Sequence, residues 1–185
     1  MVAAMGMAAQ SQAALYDITF NGTVANGTKV AASGQIDVVN GAAVSGYLDV
    51  SGAVPNSGAY DTLIIGSNLG GGQPFTWDSK VSPSSTPFLN NVNNSGGLLF
   101  QSASGAQISF WYNTPAEDQA LKGSYYSVPN EYGLWGYYNG TYAPEAYGTA
   151  TLLAVPEPTS TTKFAGLSAL GLLLVTLRRK FSVAG

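Results

Sequence analysis

The chain has no cysteine and no histidine. Without thiols it can form no disulfide framework, no thiolate nucleophile and no thiolate-bound zinc or iron–sulfur centre. Without imidazole there is no Ser-His-Asp triad and no histidine general base. Charge is scarce as well: 9% of the 185 residues are charged, against about a quarter in an average soluble domain. The net charge of −3 argues against nucleic acid as a partner. Disordered chains are also poor in apolar residues, but they carry much charge and few aromatics. This chain is 45% apolar and has 11 Tyr, 7 Phe and 3 Trp. A multi-span membrane protein needs several long apolar runs, and only one run here comes close, near the C-terminus. The polarity that remains is carried by Gly, Ser, Thr and Asn between aromatic and β-branched runs, which predicts an all-β domain.

Both ends read as addresses. Residues 1–14 form a small, apolar, Ala-rich run with Ser11 and Ala13 at the −3 and −1 positions of a cleavage site. This is the pattern of the end of a secretory signal peptide, with cleavage expected between Ala13 and Ala14. The basic residues that open such a signal are missing, since the first Lys or Arg is Lys29. A start upstream of Met1 accounts for that.

At the other end, Val155, Pro156, Glu157 and Pro158 precede a polar stretch. An apolar run from Phe164 to Leu177 follows, then Arg178, Arg179 and Lys180. Fourteen apolar residues make a helix of about 21 Å, short of a hydrocarbon core of about 30 Å. Neutral Ser and Thr residues extend the expected transmembrane helix to about 160–177, with Lys163 snorkelling to the interface. The basic cluster after it predicts a cytoplasmic C-terminus, so the preceding domain lies outside.

The order Val155-Pro156-Glu157-Pro158, apolar helix, Arg178-Arg179-Lys180 resembles the sorting tail of PEP-CTERM proteins, over about 30 of the 185 residues. The resemblance implies export through the inner membrane of a Gram-negative bacterium. It also implies recognition and cleavage by an exosortase at Pro156, Glu157 and Pro158, and association with extracellular polysaccharide and biofilm matrix. Two prolines one residue apart hold the chain extended and remove backbone donors. The motif therefore stays out of sheet and helix and is accessible to an enzyme. Within the domain, Ser33 to Gly41, and Gly97 to Phe100 ahead of Ile108 to Trp111, also resemble segments of uncharacterised extracellular domains bearing this tail.

Residues 15–154 alternate between apolar and polar positions, as in Tyr16-Asp17-Ile18-Thr19-Phe20. About ten short strands are expected: 16–20, 35–39, 43–50, 61–65, 75–81, 97–102, 107–112, 124–128, 134–138 and 148–154. Their spacing suits a β-sandwich or jelly roll. Asn40-Gly41 is a strong hairpin signal. Asn-Gly also occurs at 21–22, 26–27 and 139–140, where it predicts tight turns. The Asn-Gly-Thr triplets, like Asn93-Asn94-Ser95, match the glycosylation pattern by coincidence with turn chemistry. Gly70 to Gly72 lacks the Lys-Ser/Thr of a phosphate loop. One helical turn is expected at 115–121, opened by Pro115.

The domain holds nine acids and three bases, Lys29, Lys80 and Lys122. Catalysis would rest on paired carboxylates, as in glycosidases. The candidates are Asp61, Asp78, Glu117, Asp118, Glu131 and Glu145, with Asp37 and Asp49 as cross-strand neighbours of a hairpin. No spacing singles out a pair, and surface acids that keep the protein soluble are the simpler reading. No Asp-x-Asp-x-Asp-Gly calcium loop is present, and no cofactor or metal is called for.

Eight aromatics crowd residues 125–147: Tyr125, Tyr126, Tyr132, Trp135, Tyr137, Tyr138, Tyr142 and Tyr147. Alternation sends Trp135 and Tyr137 to one face and Leu134 and Tyr138 to the other. Aromatic faces stack on sugar rings, so Trp135, Tyr137, Tyr138 and Tyr142 are the glycan-binding candidates; cross-strand pairs holding a sheet are the competing role. The expected protein is exported, non-catalytic and sorted to the cell surface or matrix. Its expected partners are an exosortase, the membrane and extracellular polysaccharide. A secreted carbohydrate-active enzyme and a self-assembling structural or adhesive subunit are the alternatives.

Overall fold

The computed structural model describes residues 13–52, 58–68, 75–89, 96–114 and 130–156. The chain divides into two units, Met1–Ala154 and Val155–Gly185. In the second, only Val155 and Pro156 are described. The expected helix at 160–177 and the residues Glu157, Pro158, Phe164, Leu177, Arg178, Arg179 and Lys180 lie outside the described residues, as do 1–12. Among the described residues no helix is long and apolar enough to cross a membrane.

The first unit is all-β. Its strands are β1 (Ala14–Val24), β2 (Lys29–Val39), β3 (Ala42–Gly52), β4 (Gly58–Tyr60), β5 (Thr62–Leu63), β6 (Leu98–Gln101), β7 (Gln107–Asn113), β8 (Glu131–Tyr138), β9 (Thr141–Tyr142) and β10 (Ala146–Ala154). All ten belong to one antiparallel sheet in the order β4-β3-β2-β1-β10-β8-β7-β6-β5, with β9 paired to β8.

Turn chemistry sets the register of two hairpins. At Asn40-Gly41 both φ values are positive, 51° and 76°, as a two-residue type I′ turn requires. Asn139-Gly140 repeats the device at 48° and 81° and joins β8 to β9. Between β1 and β2, Gly27 alone is left-handed, at 82°, and the Asn26 side chain accepts from Thr28 N at 2.9 Å. The fourth Asn-Gly pair breaks the expectation: Asn21-Gly22 lies inside β1, with Gly22 opposite Gly148 and Val30. Close packing, not a turn, requires that glycine. A Cβ on Gly22 would stand 2.5 Å from Cζ of Phe20 and 2.6 Å from the Tyr147 carbonyl oxygen.

Closure is the feature that periodicity did not reveal. β4 and β5 are two halves of one extended segment with Asp61 between them. The first half pairs with β3, Leu48 opposite Tyr60, and the second with β6, Leu63 opposite Phe100. The segment therefore spans the two edges of the sheet, which is nearly closed. A second crossing lies at 78–81, where a full strand was expected and isolated bridges are found. Ala43 N donates to Ser79 O at 2.8 Å and Val81 N to Gly41 O at 2.9 Å, while Ser79 N donates to Gly97 O at 3.0 Å. Ser79 takes a φ of 54°, which bends the chain so that it bonds β3 on one side and the approach to β6 on the other. Expected strand 124–128 and the turn of helix at 115–121 fall outside the described residues.

The curled sheet encloses one apolar core. Ile18, Phe20 and Val24 of β1 meet Ile108 and Phe110 of β7 and Leu134 of β8 inside it. Rings tie the halves together. Phe20 meets Phe110 edge-on at 5.8 Å, and Tyr132 stacks on Phe110 at 5.6 Å and on Phe88 at 4.7 Å. The Tyr132 hydroxyl also accepts from Phe88 N at 2.9 Å, so a buried amide of the 82–89 loop is satisfied by a core side chain.

Candidate aromatic binding site

β8 alternates as its sequence predicts. Leu134 and Tyr138 face the core, Leu134 fully buried and Tyr138 partly so. Trp135 and Tyr137 stand on the outer face. The β8–β9 hairpin then folds Tyr142 back opposite Tyr137. Tyr142 stacks on Trp135 with ring centroids 4.6 Å apart and planes 27° from parallel. Tyr137 lies 4.9 Å from Tyr142. Trp135 is pinned by its Nε1, which donates to Ala143 O at 2.8 Å.

Sequence reasoning missed the fourth ring. Phe75 meets Trp135 edge-on at 5.5 Å and Tyr142 at 6.0 Å. It is sixty residues from Trp135 along the chain, and only the closed sheet brings it there. Of the four glycan candidates, Trp135, Tyr137 and Tyr142 converge and Tyr138 does not. Tyr125 and Tyr126 lie outside the described residues. Nearer the middle of the sheet, Trp111 lies over Gly133, where a Cβ would come within 2.5 Å of the indole Cε2, and meets Tyr147 edge-on at 6.1 Å. An aromatic ring thus covers a backbone position with no side chain, and cross-strand ring pairs hold the outer face as well as the core.

The site has a place on the domain. Tyr16 of β1 pairs with Ala154 of β10, so the two ends of the first unit's sheet lie side by side. Ala146, at the other end of β10, pairs with Leu134. The nine residues of β10, eight steps of about 3.4 Å, span about 27 Å, and β8 carries Tyr137 further in the same direction. The aromatic cluster is therefore at the end opposite Ala154.

The acids are mostly engaged elsewhere. Asp37 and Asp49 are not cross-strand partners: Asp37 lies opposite Ser45 and Asp49 opposite Ser33. Four residues of β2 separate the two levels, about 13 Å, because the register runs outward from Asn40-Gly41 and shifts by one residue between Asp37 and Val38. Asp37 accepts from the Ser45 hydroxyl, and Asp17 accepts from Gln35 Nε2 at 2.8 Å. Asp78 Oδ1 accepts two backbone donors, Gly97 N and Lys80 N, each at 3.1 Å; its contact with the exposed Lys80 ammonium is long, 3.9 Å. Asp61 is exposed, and Glu131 sits at the start of β8 opposite Asn113. Glu117 and Asp118 lie outside the described residues. Burial pushes the Glu145 carboxyl above its ordinary range, and the Tyr147 hydroxyl, donating to it at 3.0 Å, works the other way. Among the described residues no group of three or more acids could hold a metal ion.

Ala14 opens β1 opposite Val38, and Ala13 precedes it, exposed. Val155 and Pro156 follow directly on β10. Searches of protein-family models, curated proteins and solved structures find no match to this chain.

Proposed function

We propose that this chain is an exported cell-surface or matrix protein, sorted by an exosortase through its C-terminal tail, whose β domain binds polysaccharide and is not catalytic. The observation that carries the reading is the order of Val155-Pro156-Glu157-Pro158, the apolar run from Phe164 to Leu177 and the Arg178-Arg179-Lys180 stop. In this reading residues 160–177 form the transmembrane helix, and the curled sheet packs its inner faces together as a β-sandwich does. Support at the other end comes from Ala14, the first residue of β1, since cleavage before it would leave the strand whole. The non-catalytic part draws support from the acids. Nine acids stand in residues 15–154, and no spacing singles out the carboxylate pair that a glycosidase uses.

The test is expression in a Gram-negative host with and without an exosortase, followed by mass spectrometry of the exported protein. The expected product begins at Ala14 and lacks the apolar run and its basic stop only when the exosortase is present. An exported product that keeps residues 159–185 in the presence of the enzyme would overturn the sorting assignment. Polysaccharide binding is checked separately, by retention of the protein on a panel of immobilised neutral and acidic polysaccharides. Retention on none of them overturns that part.

A further inference from the structure

The geometry points to a more specific ligand: a neutral, unsubstituted polysaccharide chain, docked on the Tyr142 ring at the end of the domain away from Ala154. This rests on the polysaccharide-binding reading and narrows it.

Three observations meet here. The first is a preformed platform. Tyr142 is 45% exposed, although one face stacks on Trp135 and its flanks meet Phe75 and Tyr137. An exposed ring held by three others loses little freedom when a ligand lies on it, and that preorganisation favours binding. Trp135 cannot swing away without breaking its bond to Ala143 O. The second is charge. The described residues contain two cations, Lys29 and Lys80. Lys80 bridges to Ala42 at the Ala154 end of the sheet. Lys29 on β2 is level with Thr23, Tyr147 and Gly133, whereas Tyr142 is level with Tyr137, four residues further along β8, or about 13 Å along the strands, beyond a screening length of about 8 Å. The ionisable group nearest in sequence is an acid, Glu145, three residues after Tyr142. Among the described residues a uronate or sulfated chain would find no cationic partner beside Tyr142 and some repulsion from Glu145, whereas the axial C–H face of a neutral pyranose matches an aromatic ring without any charge. The third is placement. The platform lies at least about 27 Å along the strands from Ala154, where the sheet hands over to Val155 and Pro156.

The experiment uses the full chain in a non-glycosidic detergent, so that no detergent sugar competes. Its probes are soluble β-glucan as the neutral polymer and alginate as the acidic one, read by affinity electrophoresis. Retardation by β-glucan and none by alginate is expected. Tyr142→Ala should weaken glucan binding roughly tenfold, while Tyr142→Phe, which keeps the stacking face, stays within about twofold of wild type and Lys29→Ala is unchanged. Unaltered thermal unfolding of Tyr142→Ala certifies its fold. If that variant unfolds, the wild type supplies the readout, because glucan bound on the Trp135–Tyr142 stack must shift tryptophan emission. Glucan binding untouched by Tyr142→Ala, or absent from the emission spectrum, overturns the location. Binding of alginate alone overturns the ligand class and leaves the broader reading standing. Binding of neither polymer, nor of any other in the panel above, overturns both.

Discussion

Gly22 of β1 and Gly148 of β10 face each other across the sheet, and neither has room for a side chain. A Cβ on Gly148 would press on the Asn21 carbonyl oxygen and stand 2.5 Å from Gly22 Cα. The space on the Gly22 side is taken by the Phe20 ring, which folds along its own strand and meets Phe110 from the far side of the core. The pair thus makes room for the ring contact that joins the two halves of the curled sheet.

Gly148→Ala is therefore expected to destabilise the domain by about 1–3 kcal/mol, the usual cost of overpacking a well-filled interior. Thr151→Ala, on the same strand, removes only an exposed 2.7 Å hydroxyl bond to Thr19 and should cost about 0.5 kcal/mol or less. Urea unfolding of the two variants against wild type checks the contrast; equal midpoints would show that the close approach at Gly148 carries no energy.

Asp78 governs the second crossing. Its carboxylate satisfies Gly97 N and Lys80 N together, at the point where 78–81 bonds both β3 and the approach to β6. Asp78→Ala leaves two backbone donors without their acceptor and should cost about 1–3 kcal/mol. Asp78→Asn keeps an acceptor oxygen and should cost less. Hydrogen exchange gives the local readout: the amides of Ala43 and Val81 should lose protection before those of β1.

Tyr132→Phe tests a buried bond by removing one atom. Phe88 N loses its acceptor while the stacked rings remain, so a loss of about 1–3 kcal/mol is expected. In the wild type, burial holds the Tyr132 phenol above its ordinary 10.0, so a spectrophotometric alkaline titration should show a tyrosine that ionises above that value and is missing from Tyr132→Phe.

Glu145 supplies a pH dependence. Its folded carboxyl is raised above 4.5, first by burial, so the native state holds the proton more tightly than the unfolded chain. Its contribution to stability is complete below that value and is lost as the pH rises through the folded pKa. Glu145→Gln should therefore be more stable than wild type near pH 7, and the gap should close near pH 4. Urea midpoints at the two pH values decide it; a gap that widens on acidification reverses the sign and sinks the assignment.

The alternation of β1 and β8 and the turns at Asn40-Gly41 and Asn139-Gly140 are legible from residues two to four apart. Side-chain direction and left-handed turn geometry are local properties, so a single sequence carries them. The same logic misplaced Asn21-Gly22, because a glycine serves a turn and a close interstrand approach equally well. It also left Asp37 and Asp49 as neighbours, because types and spacing do not count register from the turn.

What the sequence by itself determined is an all-β domain free of thiol and imidazole chemistry, its strand faces, and Trp135, Tyr137, Tyr138 and Tyr142 as glycan-binding candidates. What only the tertiary structure decided is how the sheet comes back on itself through Asp61 and Asp78, which face of β8 packs against the core, and that Phe75 completes the ring cluster. Those contacts join residues tens of positions apart. Their formation depends on the whole sheet curling round one core, and no short window of sequence contains that information.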